Sequence, residues 1–259
     1  MGECFMLHRV TQRIPKFTYT GSYQLIDDGN GNWRIKFKTS GTLTFQNLGN
    51  ARKGIDVFLV GGGGGGVRYT WQSNGQHADA GGGAGYTTTV KDGSVKPVKG
   101  TSYSIVIGSG GAGNSGMSGG SGSKTADDGQ ASTAFGKTAA GGKGAKAGWH
   151  YDQYTPAYNY FSGYGGDGGS GGGIGIASYN QTADYPGGTN GGNGTNNGRQ
   201  TQQSAGTGQG STTKEFGENG GTTYAQGGGS NTTAAANTGN GGLCAETGSS
   251  GIVVIRNHR

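Results

Sequence analysis

The stretch "SYSIVIGSGGAG", residues 102–113, decides how this chain is read. Its β-branched run ends in Gly108, Gly110 and Gly113. That is the G-x-G-x-x-G spacing which, in dinucleotide-binding folds, turns a strand into a helix and lays a pyrophosphate on the helix N-terminus. The chemistry requires a helix directly after Gly113, but residues 114–125 are "NSGMSGGSGSKT". Glycine costs about 1 kcal/mol relative to alanine in a helix interior, so no helix is expected there. The same match recurs at Gly61, Gly63 and Gly66, as it must in any glycine run.

Outward from Gly110, glycine returns at Gly113, Gly116, Gly119 and Gly122. In "GYGGDGGSGGG" (163–173) two positions of every three are glycine, and Tyr164, Asp167 and Ser170 share the remaining column. In "AAGGKGAKAGW" (139–149) two columns hold only Gly or Ala, leaving Lys143, Lys146 and Trp149 on the third. A period of three belongs to neither an α-helix nor a strand but to the left-handed polyproline-II helix. Such a helix makes no internal hydrogen bonds, so each N–H and C=O must find water or a neighbouring helix. Faces without Cβ atoms let helices approach closely enough to bond main chain to main chain. With only four prolines, a collagen triple helix is excluded and a bundle of polyglycine-II helices remains. Segments of about six to ten residues are expected, and residues 61–66 would span about 19 Å.

The chain has 259 residues, 29% of them hydrophobic, and all but seven of its 63 glycines come after Val60. Before that point, "FTYTGSYQLI" and "NWRIKFKTSGTLTF" are aromatic and β-branched runs separated by "DDGNGN", the pattern of a hairpin. "IDVFLV" (55–60), "YTTTV" (86–90), "SYSIVI" (102–107) and "GIVVIRN" (251–257) read as further strands. The last needs a partner from before residue 110, so the glycine-rich stretch must leave the sheet and return. The predicted fold is all-β with almost no α-helix. A small antiparallel β-sandwich (17–107 plus 251–259) carries a long inserted polyglycine-II bundle (61–85 and 108–250). Residues 1–16 are read as an N-terminal attachment segment.

The net charge of +6 is spread over scattered residues such as Lys124, Lys137 and Arg199, which make no phosphate-tracking stripe, so no nucleic-acid partner is expected. No apolar run approaches the roughly 20 residues of a membrane helix, and no signal peptide is visible, so membrane insertion is not expected. "GQASTAFGKT" lacks the first glycine of a phosphate loop, which Ala131 replaces. His8, His77, His150 and His258 are far apart, and Cys4 and Cys244 form no metal framework; they could pair or stay reduced. The acidic pairs Asp27/Asp28 and Asp127/Asp128 sit beside glycines as turn formers. No catalytic residue, metal or cofactor is predicted, and the chain is read as a non-enzyme.

The feature that points to binding is aromatic. "WHYDQYTPAYNYF" (149–161) and the residues after it bring Trp149, Tyr151, Tyr154, Tyr158, Tyr160, Phe161 and Tyr164 into one interruption of the glycine pattern, with Tyr179 and Tyr185 in the next. Tyr and Trp offer large contact area with few rotatable bonds and a polar tip. The bland alternative is a loop folded on itself as a small satellite core. Residues 67–80, with Tyr69, Trp71 and His77, make a second candidate loop.

Together, "GIDVFLVGGGGGG", "GGGAGYTTTV", "SYSIVIGSGGAG" and terminal "GIVVIRN" resemble the glycine-rich domain at the ends of bacteriophage and prophage tail and fibre proteins. The resemblance covers residues 17–257 and rests on the order of the four segments. The bundle is also similar to the polyglycine sandwich of phage tail-fibre tip adhesins. It implies a rigid scaffold whose loops meet a bacterial surface protein or glycan, assigning recognition to 149–164, 67–80 and 177–186. It also implies a virion protein assembled in the host cytoplasm, docked on another tail protein through residues 1–16, with homo-oligomerisation compatible. The rival expectation is a structural subunit of a virion or appendage whose lattice and aromatics drive self-assembly. Ice binding by a flat polyglycine face is a third, for which no regular Thr or Ala plane is found.

Overall fold

The computed structural model describes residues 13–71, 77–118, 122–150, 160–172, 213–229 and 235–259. Among them the strands are, in chain order, β1 (Lys16–Tyr19), β2 (Tyr23–Gly29), β3 (Asn32–Phe37), β4 (Gly41–Asn47), β5 (Ile55–Val60), β6 (Val67–Trp71), β7 (His77–Ala80) and β8 (Thr87–Val95). Next come β9 (Ser102–Val106), β10 (Asn114–Ser118), β11 (Gly122–Thr125), β12 (Ser132–Ala134), β13 (Lys137–Ala139), β14 (Lys146–His150), β15 (Tyr160–Tyr164) and β16 (Ile252–Asn257). The chain is all-β, as its residues led one to expect, and its helical turns are short 3-10 pieces such as Gly49–Lys53.

Two five-stranded antiparallel sheets, ordered β1-β4-β9-β12-β13 and β2-β3-β16-β5-β8, face each other as a sandwich. The alternation of β3 is explained by this packing: Trp33, Ile35 and Phe37 point into the core beside Leu43, Phe45, Val57 and Ile255, while Arg34 and Lys36 face outward. The run "FTYTGSYQLI" is not one strand. It breaks at Gly21, where a Cβ would lie 2.7 Å from the Ser40 carbonyl oxygen, and its halves β1 and β2 join different sheets. Terminal β16 pairs with β3 and β5, so the glycine-rich stretch does leave the sheet and come back. Hairpin β12–β13, from within that stretch, adds two strands to the sandwich edge.

β5 and β16 are buried at every position because a second layer covers their outer face. Residues 213–225 lie across it, packing Phe216, Tyr224 and Ala225 on Phe58, Val60, Ile252 and Val254. A charged clamp holds this strap. Glu215, 2% exposed, accepts from Arg34 Nη1 at 2.8 Å and from the Tyr224 hydroxyl at 2.7 Å, and it pairs with Lys36. Arg256 pairs with Asp56 at 3.0 Å, and its guanidinium carbon stands 4.1 Å from the centre of the Phe216 ring.

From Val60 the chain passes into the lattice. The N–H groups of residues 61–66 donate at 2.8–3.0 Å to three segments in strict rotation: Gly61 and Gly64 to Tyr86 and Gly83, Gly62 and Gly65 to Gln130 and Asp127, Gly63 and Gly66 to Ser249 and Glu246. Their carbonyls accept from Gly142 and Ala145, from Gly111 and Asn114, and from Gly242. This rod is thus the hub of six neighbours. Those it donates to run antiparallel, and the two that donate to it twice run parallel. Each residue turning to a new neighbour, with return after three, is the bonding pattern of three-residue-per-turn helices laid side by side. The 81–86 rod repeats it, with Gly82 and Gly85 donating to Gly242 and Gly239, Gly83 and Tyr86 to Lys143 and Ala140, and Ala84 to Ser170.

None of the glycines at 61–66 or 81–85 lies in the left-handed region, so backbone conformation is not why they are glycines. The reason is space. A Cβ at Gly62, Gly63 or Gly65 would lie 2.0, 1.9 or 2.1 Å from the carbonyl oxygens of Ser109, Asn240 and Ala112. Ala84 is the exception within its rod, its methyl taken up by the cluster around Phe58.

The period-three count does not mean continuous rods. Gly110 and Gly113 lie in a rod, against Gly248 and Ala245, but Gly116 and Gly122 lie in β10 and β11, and Gly119 is outside the described residues. Likewise the rod at 140–145 becomes β14 at Lys146, and "GYGGDGGSGGG" folds back so that the Gly172 N–H reaches the Gly166 carbonyl. Strand β10, and no helix, comes after Gly113, and the glycines at 108–113 serve the lattice.

Gly63→Ala is expected to cost about 3 kcal/mol or more, because the methyl strikes main chain on a rod that cannot move without breaking its own bonds. Gly100→Ala, at positive φ with open space around it, should cost only about 1–2 kcal/mol. Denaturant midpoints of the two variants check this. Glu215 gives a pH test. Burial works to raise its pKa, but Lys36, Tyr224 and Arg34 outweigh that and hold it below the ordinary 4.5. A depressed folded pKa means the stabilisation is complete above about pH 4.5 and is lost as pH falls through the lower folded value. Wild type should therefore lose stability below about pH 4.5. Glu215→Gln should be less stable at pH 7 by about 3 kcal/mol, having left two cations without their buried partner, with a flatter acid limb on pH titration of its melting temperature.

Candidate functional site

Six of the rod ends away from the sandwich run into strands. Rod 61–66 leads into β6, and the parallel rods near 111–113 and 140–145 lead into β10 and β14. Antiparallel segments return from β7, β11 and β15. These six strands make two three-stranded sheets, β10-β6-β7 and β11-β14-β15, around a small core of Val67, Tyr69, Ala80, Ala126, Ala145 and Ala147. Strands replace rods here because there is apolar surface to bury, and a pleated strand alternates its faces where a glycine rod has none.

The outer ends of these six strands therefore lie at one end of the molecule. At the opposite end sit the β2–β3 turn and both described chain extremities. Arg13 Nη1 donates to the Asn30 carbonyl at 3.3 Å, and the His258 N–H donates to the Gly54 carbonyl at 3.1 Å. The contour from Ile55 through the hub rod to Trp71 is about 50 Å at roughly 3.1–3.4 Å per residue.

The predicted aromatic loop is partly strand. Trp149 lies in β14 opposite Phe161, His150 is opposite Tyr160, and Lys146 is opposite Tyr164 at the inner end of the same ladder. Tyr151, Tyr154 and Tyr158 in the connection, and Tyr179 and Tyr185, lie outside the described residues. The second candidate, 67–80, is the β6–β7 hairpin, with Thr70 opposite His77, and Trp71 beside Ser118 of the parallel strand β10. Tyr69 is corrected. It is 2% exposed, and Gly122 makes room for its hydroxyl, since a Cβ there would lie 2.6 Å from the Tyr69 oxygen. It holds the two small sheets together instead of meeting a ligand. The backbone thus gathers Trp71, His77, Trp149, His150, Tyr160 and Phe161 at the outer ends of four strands.

Below this rim is a polar brace with no signal in the sequence, since its members are far apart in the chain. Asp79, 5% exposed, accepts from Arg68 Nε and Nη2, both at 2.8 Å, and from the Cys244 thiol at 3.4 Å. It ties the β6–β7 hairpin to the 243–245 turn between two rods. Burial, and then the Asp79 charge, push the Cys244 thiol up to about 12. Cys4 lies outside the described residues. On the flank, Asp128 accepts from the Gly144 N–H at 2.9 Å and from Lys143 Nζ at 2.7 Å, and this Lys143 contact keeps its carboxyl below the ordinary value against the opposing effect of burial. Among the described residues, no group of three or more His, Cys, Asp or Glu could hold a metal ion, and no helix is long and apolar enough to cross a membrane.

A thiol this basic is almost wholly protonated at pH 8. Cys244 should be alkylated at least about a hundredfold more slowly than an ordinary thiol, and Asp79→Asn should speed the reaction; peptide mapping after timed iodoacetamide treatment reads both. A family model described as a glycine-rich domain matches residues 38–257. No curated protein matches the chain.

Proposed function

The chain belongs to the glycine-rich domain family, and from that premise we propose that it is a non-enzymatic receptor-binding tip of a phage tail or tail fibre. It recognises a bacterial surface protein or glycan through the residues displayed at the outer strand ends and the connections between them. One observation carries the reading: the molecule is polar. Both described chain extremities lie at the sandwich end, and the strand ends carrying Trp71, His77, Trp149, His150, Tyr160 and Phe161 lie at the other, about 50 Å along a rod lattice. A stiff stalk of this kind presents loops without ordering cost to the scaffold, which favours binding. Residues 1–16 would then seat the base on another tail protein, and the protein would reside in the virion.

A second reading, a structural subunit that self-assembles, is favoured by the open edge of the sandwich. Tyr23 and Leu25 of edge strand β2 are 45% and 42% exposed although they pair with the core-facing Phe37 and Ile35, and exposed edges template further association.

Replacing residues 151–159 by a Gly/Ser linker is expected to weaken, at least tenfold, adsorption of the fluorescently labelled chain to those strains of a bacterial panel that bind wild type, with the sedimentation coefficient unchanged. Unchanged adsorption, or wild type binding no strain while Tyr23→Lys/Leu25→Lys dissolves an oligomer, would favour the structural subunit.

A further inference from the structure

The flank of the lattice, just below the β14–β15 hairpin, carries a groove of about 580 Å³ that the sequence motifs do not single out. Its floor is glycine main chain at 144, 165 and 166, and its side chains are Thr125, Asp128, Lys143, Lys146 and Asp167. There is no large apolar side chain in this lining, so an apolar ligand would gain little by burial in it. Two carboxylates offset two ammonium groups, so a polyanion has no net attraction either. What the groove offers is alternating hydrogen-bond acceptors and donors held in place. Asp128 is pinned by Gly144 and Lys143, and the Lys143 N–H donates to the Asp167 carbonyl at 2.7 Å. Lys146 and Asp167 make no ion pair with any described residue.

The spacing adds a second argument. Thr125 and Asp128 are three residues apart on one segment, Lys143 and Lys146 three apart on its antiparallel neighbour, with Thr125 opposite Lys146. Three residues of such a rod rise about 9 Å. The groove therefore repeats a polar pair at that interval, parallel to the rods and towards the rim. A second groove, of about 640 Å³, shares Thr125 and Asp128, continues along their own segment to Gln130 and is bordered by the adjoining rod at 109–112.

We propose that this flank groove binds a neutral, hydroxyl-rich polysaccharide strand lying along the rods. Each carboxylate accepts from, and each ammonium donates to, hydroxyls of successive sugar units. This rests on the receptor-binding reading and adds to it a substrate class and a site separate from the aromatic rim.

The full chain is tested on an array of purified bacterial surface polysaccharides, neutral and anionic, alongside the strain panel. Wild type should bind at least one neutral polysaccharide. Lys146→Gln and Asp167→Asn, whose side chains are exposed and bond to no described residue, should each weaken that binding at least tenfold at unchanged melting temperature. The variant with 151–159 replaced should retain it. Binding that both groove variants leave intact, binding confined to anionic polysaccharides, or a blank array would overturn the proposal. A blank array with wild type adsorbing to cells would overturn the groove and leave the receptor-binding reading standing. Array binding with no adsorption to any strain would do the reverse.

Discussion

Lateral hydrogen bonding between side-chain-free rods is the constraint on which the rest of this molecule depends. A three-residue helix has no bonds of its own, so residues 61–66 acquire order by donating in rotation to three neighbours and accepting from three more. Each bond contributes only about 0.5–1.5 kcal/mol net, and none forms unless the rods lie close enough that a Cβ would strike the next main chain. The same contact that stabilises the lattice thus dictates glycine, and it does so through space, at ordinary negative φ.

A lattice of this kind has little to define its own register, because one glycine resembles the next. The sandwich supplies what is missing. β5 feeds the hub rod, β8 continues the 81–86 rod, β9 precedes the 108–113 rod and β16 continues the 246–251 segment, so a slip of any rod would drag a strand out of pairing and turn its core residues to solvent. At the other end the two small sheets do the same on a smaller core, with Tyr69 between them and the Arg68–Asp79–Cys244 brace tying one of them to the 243–245 turn. The rods are clamped between two regions where side chains specify position.

The functional reading grows out of this division of labour. Main-chain bonding makes a flank that is stiff and polar, and the strands it continues into place aromatic residues at the far rim. In the proposed reading, recognition at the rim is separate from the rods that hold the fold, whereas the groove uses the rods themselves. At the groove beside Asp128, side chains and lattice combine into a preorganised polar surface.

Much of this was legible in the residues. The strand runs before Val60, the hairpin at Asn30-Gly31, the return of "GIVVIRN" to the sheet and the polyglycine character of the rods all come from local pattern, because β-branched alternation and period-three glycine each reflect one geometry. Sequence alone could not tell where a rod ends. Gly113 and Gly116 look alike in the chain, yet one meets rod main chain at Ala245 and the other lies in a strand beside Lys124, since what decides between rod and strand is the neighbour each segment meets. For the same reason the burial of Tyr69, the strap at 213–225, the Asp79 brace and the polarity that puts the outer strand ends opposite the sandwich were settled only in three dimensions. A single chain states which residues lack side chains; which main chain comes to lie in the space they leave is a property of the assembled lattice.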